Sequence, residues 1–127
     1  MRFPDKLDVL AVHARLIAET GGSTGIRDEG LLESALAAAE NRLNYENGDV
    51  VECAAAYAFH LTQAHAFVDG NKRLAAAITE TFLVSNECEL LMDDDEVVRL
   101  FLDMAAGILT RNDVENLLRR NVRKGNS

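Results

Sequence analysis

Apolar residues return at every third or fourth position through most of the chain, the spacing that lines one face of an α-helix. Between Asp5 and Thr20, Leu7, Leu10, Ala14 and Ile17 form such a face, widened by Val9 and Leu16, and the run stops at Gly21-Gly22-Ser23-Thr24-Gly25. The pattern predicts a first helix and then a loop. Asp28 reads as the N-cap of a second helix with Leu31, Leu32, Ala35, Leu36 and Ala39 on its apolar face. Glu29 and Glu33 favour the positive end of that helix, which is expected to finish near Asn41. Arg42 to Asp49 is polar and holds Asn47-Gly48, a turn dipeptide, so it reads as an exposed connection or flap. A third helix, about Val50 to Ala66, carries Val51, Ala54, Ala58 and Leu61, with Cys53, Tyr57 and Ala64 beside them. It reads as the central, largely buried helix.

After Phe67-Val68-Asp69-Gly70 the period resumes through Leu74, Ala75, Ile78 and Phe82. This predicts a fourth helix that starts at Asn71 or Lys72 and fades at Ser85-Asn86. The acidic run Asp93 to Glu96 precedes Val97, Leu100, Phe101 and Met104, and reads as the capped start of a fifth helix. It lacks the glycine and spacing of a calcium loop. Thr110 and Asp113 open a sixth helix through Val114, Leu117 and Leu118, whose basic end is Arg119, Arg120, Arg123 and Lys124. Lys124 to Ser127 read as frayed.

The expected architecture is therefore all-α, a compact bundle of about six helices in one domain, residues 1–127. A length of 127 residues is enough for one core and short for two. Composition agrees, since one proline, 48% hydrophobic residues and few aromatics suit packed helices better than sheets. A formal net charge of −8 opposes any broad contact with DNA or an anionic membrane, so a phosphate site would have to be local. It also disfavours a DNA-binding helix-turn-helix in the last two helices. Two cysteines, no secretory signal and no uninterrupted apolar run of about 18 to 20 residues point to a cytoplasmic protein. Cys53 reads as core and Cys88 as a turn residue.

One segment carries chemistry. His65-Ala66-Phe67-Val68-Asp69-Gly70-Asn71-Lys72-Arg73 puts a titratable base, a carboxylate, an amide and two cations within nine residues, where one helix ends and the next begins. Free N–H groups at a helix start attract an anion. Gly70 allows close approach to the backbone, and Lys72 and Arg73 supply countercharge suited to a polyphosphate. Asp69 is the natural ligand for a Mg²⁺ shared with phosphate oxygens, because magnesium commonly uses only one or two protein carboxylates. His65 is placed as a general base toward an incoming hydroxyl. Asn71 would brace the loop or a phosphate, and Phe67 would point inward as its scaffold. His60 lies five residues from His65, off its face, and His13 sits on the first helix; both read as packed or hydrogen-bonded core histidines rather than zinc ligands.

The segment resembles the Fic/Doc superfamily, whose loop reads His-x-Phe-x-(Asp or Asn)-x-Asn-Lys-Arg in the Doc, or death-on-curing, branch. It matches that form at every specified position. The stretch Gly25-Ile26-Arg27-Asp28-Glu29-Gly30-Leu31-Leu32-Glu33-Ser34-Ala35-Leu36 is similar to the upstream signature of Doc-like proteins. Arg27, Asp28 and Glu33 are nevertheless expected to serve helix capping and ion pairing. The resemblance implies a toxin that uses Mg²⁺ and ATP or another nucleoside triphosphate to phosphorylate a threonine of elongation factor Tu. It implies His65 and Asp69 as catalytic residues, and Gly70, Asn71, Lys72 and Arg73 as phosphate ligands. Lys72 stands where the AMP-transferring Fic branch has glycine, and Ala76 where that branch has a second arginine, which favours phosphoryl over nucleotidyl transfer. A Fic-type adenylyltransferase and a non-catalytic binding subunit are the alternatives. The self-inhibitory pattern (Ser or Thr)-x-x-x-Glu-(Gly or Asn) is missing: Glu29-Gly30 has Gly25 and Glu115-Asn116 has Arg111 at the hydroxyl position. The resemblance then implies an antitoxin that supplies an inhibitory helix in trans.

Overall fold

The computed structural model describes residues 1–125. Side-chain caps set most of the helix starts. Asp5 begins α1 (Lys6–Thr20), Asp28 begins α2 (Glu29–Glu46), and Asp49 begins α3 (Val50–Ala64). Asp93 begins α5 (Asp94–Ala105) and Thr110 begins α6 (Arg111–Asn121), each by accepting a backbone N–H one turn ahead. Between them α4 (Asn71–Ser85) starts at Gly70 with no side-chain cap. The six-helix, all-α expectation holds, with one addition. Strands β1 (Cys88–Leu90) and β2 (Val122–Lys124) pair antiparallel, Cys88 opposite Lys124 and Leu90 opposite Val122. Arg123 and Lys124 therefore belong to a strand rather than to the end of α6, and Cys88 is a buried strand residue rather than a turn residue. Three residues are too few for period-two alternation to show. Of the stretch expected to fray, Lys124 is paired, while residues 126–127 lie outside the described residues.

At the centre lies α3, buried at Val50, Val51, every position from Cys53 to Ala58, Leu61 and Thr62. Its alanines let neighbouring backbones approach closely, and α2, α4, α5 and α6 all pack on it. Tyr57 and Phe82 meet with ring centroids 5.1 Å apart, and Phe3 closes the cluster 5.5 Å from Phe82. Among the described residues the Tyr57 hydroxyl is buried with no hydrogen-bond partner, and burial pushes its pKa up. Tyr57→Phe keeps the ring and removes the unpaired hydroxyl. It is expected to raise stability by about 1 kcal/mol in a urea titration; a loss of that size would mean that the hydroxyl is paired.

Two sequence expectations shift. The buried face of α1 is Val9, His13 and Ile17, whereas Leu7 is 75% exposed and Ala14 is on the surface. The stripe is rotated because α1 packs on α4 beside the 65–70 loop, which favours the face that holds His13. The second helix runs past Asn41 to Glu46 and ends at Asn47 in the left-handed conformation. Arg42, read as part of an exposed connection, is instead mostly buried (side chain 13% exposed) and pairs with Glu46, Glu52 and Glu115. Those partners lie on three helices. No helix among the described residues is long and apolar enough to cross a membrane.

Candidate functional site

Two left-handed residues bracket the segment between α3 and α4. His65 closes α3 at φ 48°, ψ 43°, and Gly70 opens α4 at φ 79°, ψ 17°. At Gly70 the glycine is required twice: its φ disfavours any side chain, and a Cβ there would stand 3.1 Å from Ile17 Cδ1. A histidine at a left-handed helix end is a strained choice, of order 1 kcal/mol, held by the contacts around it.

Those contacts hold the backbone of the first half of the loop, residues 65 to 68. Arg27 Nε donates to the His65 carbonyl (2.9 Å), and the Arg27 and Asp28 N–H groups both donate to the Ala66 carbonyl (2.7 and 3.0 Å). The Val68 N–H donates to the Gly25 carbonyl (2.9 Å), forming an antiparallel bridge between Ile26 and Phe67. Asn71 grips Phe67 at both ends: its Oδ1 accepts from the Phe67 N–H (3.0 Å) and its Nδ2 donates to the Phe67 carbonyl (2.9 Å). Phe67 itself is 2% exposed and stacks on the His13 ring, centroids 3.8 Å apart. Asn71 thus acts on the loop rather than facing outward. Asp28 caps α2 and Glu33 pairs with Lys6, as expected, whereas Arg27 departs from a capping role by reaching the His65 carbonyl.

Against this pinned backbone a few groups remain open. The side chains of His65, Lys72 and Arg73 are exposed. One Asp69 oxygen, Oδ2, accepts from the Ser23 N–H (2.7 Å), and the other accepts no hydrogen bond among the described residues. The first turn of α4 has neither a capping side chain nor an acid, and the N–H groups of Asn71, Lys72 and Arg73 find no acceptor among the described residues. The other five helices begin on Asp or Thr caps. A bare, cationic helix start next to a half-free carboxylate suits an anion that brings a divalent cation with it. The donor set fits Mg²⁺, which takes one carboxylate oxygen and draws its remaining ligands from phosphate and water. Arg73 also donates to the Thr20 hydroxyl, which keeps its guanidinium beside the loop. Beyond Lys72 and Arg73 a cavity of about 170 Å³ opens, lined by Ala76, Val97, Val98, Phe101 and Leu102.

The structure does not join His60 to this group. Its Nε2 lies 3.4 Å from the Arg111 guanidinium, and burial together with that cation holds its pKa below the usual histidine range. Among the described residues no cluster of three or more His, Cys, Asp or Glu side chains could hold a metal by itself. Contributors that sequence reasoning passed over are Gly22, Ser23 and Gly25, which carry the strand-like stretch beside the loop. A Cβ on Gly22 would sit 3.1 Å from Asp69 Cβ. Their signal was the glycine-rich Gly21 to Gly25 run, which read only as a helix stop.

A family model described as the Fic/DOC family matches residues 3–83, which include the whole 65–73 loop. The chain is also similar to the protein kinase doc of Escherichia phage P1, with 31% identity over 121 residues covering 94% of this chain and 95% of that protein.

Proposed function

This chain belongs to the Fic/DOC family, and from that premise we propose that it is the toxin of a toxin–antitoxin pair, a phosphotransferase that uses a nucleoside triphosphate. The acceptor is a hydroxyl of a target protein, a threonine of elongation factor Tu, and the outcome is arrested translation in the cytoplasm. Support comes foremost from the uncapped α4 start, where free N–H groups, Lys72 and Arg73 follow directly on Asp69 and Gly70, with His65 at the other end of the same short loop.

His65 takes the proton of the acceptor hydroxyl as its oxygen bonds to the terminal phosphorus. The bond from that phosphorus to the bridging oxygen breaks, leaving a phosphoester and a nucleoside diphosphate. Lys72, Arg73 and the α4 N–H groups hold the phosphates in line. Gly70 lets them approach the backbone, and Asn71 and Phe67 keep the loop from shifting. Asp69 would hold Mg²⁺, which when bound would offset charge on the phosphate oxygens. Lys72 and Ala76, in place of the glycine and second arginine of the AMP-transferring branch, favour transfer of the terminal phosphoryl group. The name of the phage P1 relative points the same way.

Incubation with Mg²⁺, elongation factor Tu and nucleotide labelled at either the α- or the γ-phosphate tests the reading. Label from the γ-position alone, with a mass gain of one phosphate on the intact target, is the expected result. Label from the α-position would make the chain an adenylyltransferase, and no label from either would leave a binding subunit. Lys72→Ala and Arg73→Ala are each expected to weaken nucleotide binding about ten- to a hundredfold, since charge-assisted hydrogen bonds contribute about 1.5 to 3 kcal/mol. Calorimetric titration with unchanged affinity in both would move the phosphate site elsewhere. With no self-inhibitory helix pattern in the chain, restraint comes from an antitoxin whose tail folds as a helix beside the loop. Co-purification with the product of a neighbouring gene would support this, and a wild-type chain that is harmless when expressed alone in its native host yet active on the target once purified would contradict it.

A further inference from the structure

We infer that His13, on α1, is a positioning residue for the proposed transfer: through a half-buried hydrogen bond to the Asp69 carbonyl it sets where the Asp69 carboxylate and the Gly70 turn lie relative to His65. The inference rests on the reading of the loop as the transfer site. His13 is 2% exposed, and its Nε2 lies 2.8 Å from the Asp69 carbonyl oxygen. A carbonyl can only accept, so Nε2 carries the proton and donates. The first hydrogen bond of α4 runs from the Leu74 N–H to the Gly70 carbonyl. The Asp69 carbonyl therefore lies one residue outside the helix ladder, and His13 is its only donor among the described residues. A half-buried carbonyl left without a donor would turn toward water.

The other anchors of the loop act on its first half. Arg27, Asp28 and Gly25 hold residues 65, 66 and 68, and Asn71 holds Phe67. Asp69 has only two among the described residues: the Ser23 N–H on its carboxylate and His13 on its carbonyl. His13 also stacks on Phe67 (interplanar angle 19°) and lies 3.6 Å from where a Cβ on Gly70 would be. One ring thus fixes the inward side chain of the loop, the carbonyl of its carboxylate residue and the space beneath its glycine. Because α4, Lys72 and Arg73 stand without it, loss of His13 acts on the alignment of the reacting groups more than on phosphate binding.

Two variants separate the hydrogen bond from the packing. His13→Phe keeps an aromatic ring against Phe67 and removes the donor, whereas His13→Gln places an amide N–H near the same position. In the transfer assay with elongation factor Tu, His13→Phe is expected to lower kcat about 10- to 100-fold while the nucleotide KM changes less than about threefold. His13→Gln is expected to restore most of kcat. Wild-type kcat in His13→Phe, or an equal fall in both variants, would overturn the inference. Nuclear magnetic resonance of the ¹⁵N-labelled wild type gives a readout independent of activity and of variant folding. An imidazole protonated at Nε2 and protected from exchange is expected, and an imidazole protonated only at Nδ1 would overturn the hydrogen bond. Were the wild-type chain to transfer nothing, the functional reading would fail. Amide exchange at Gly70 and Asn71, faster in His13→Phe than in His13→Gln, would still decide whether His13 holds the loop.

Discussion

Transfer is expected to fall at least about a thousandfold in both His65→Ala and Asp69→Asn, with the helical circular dichroism of each variant unchanged. The His65 side chain is exposed and no other part of the protein hydrogen-bonds to its ring among the described residues, so its removal leaves the packing intact. Asp69→Asn is the sharper test at its position. The amide oxygen can still accept from the Ser23 N–H, which preserves the loop, while the negative charge proposed to hold Mg²⁺ is gone. His65→Gly adds a second axis, because glycine tolerates the φ of 48° at this helix end. That variant is expected to gain up to about 1 kcal/mol of stability while losing transfer, the signature of a residue whose conformation serves chemistry rather than the fold. Near-wild-type turnover in either His65→Ala or Asp69→Asn would remove that residue from the mechanism.

Arg42→Ala is expected to have the largest effect on stability among the surface-reading charged residues, a loss of roughly 2 kcal/mol in urea unfolding at pH 7. Its guanidinium reaches Glu52 (2.6 Å) and Glu115 (2.5 Å), whose side chains are 26% and 14% exposed, and it also pairs with Glu46 one turn along α2. Removing the cation leaves three carboxylates facing one another, two of them largely out of water. The estimate stays below that for a fully buried pair because Glu46 and part of Glu52 still reach solvent. A pH dependence follows. Arg42 holds the Glu46 carboxyl below its usual range, so that contribution is present above the unfolded-state value of about 4.5 and disappears as pH falls through the lower folded-state value. The gap between wild type and Arg42→Ala is therefore expected to be widest near neutral pH and to narrow in acid. A gap that is absent at pH 7, or that widens toward pH 4, would mean that the cluster does not hold α2, α3 and α6 together.

Local sequence determined most of the elements, because their causes are local. Asp5, Asp28, Asp49, Asp93 and Thr110 each accept a backbone N–H one turn ahead, and the apolar period that follows can bury only one face. The 65–73 segment was legible for the same reason: base, carboxylate, glycine, amide and cations lie within nine residues at a helix junction. What the sequence could not reveal depends on partners distant along the chain. Arg42 to Glu46 looked like part of an exposed connection, whereas Arg42 lies on α2, which runs on to Glu46, and pairs with Glu115, 73 residues away; the Asn47-Gly48 turn stands where it was expected. The strand pair joins Cys88 to Lys124 across 36 positions and is too short to announce itself by alternation. Tertiary structure likewise turned α1 so that Leu7 faces outward, and laid Gly22 to Arg27 along the loop. The chain itself dictated which groups could do chemistry. Only packing decided how they are aimed, since a carbonyl outside the helix ladder such as that of Asp69 takes its donor from whichever element the fold brings beside it.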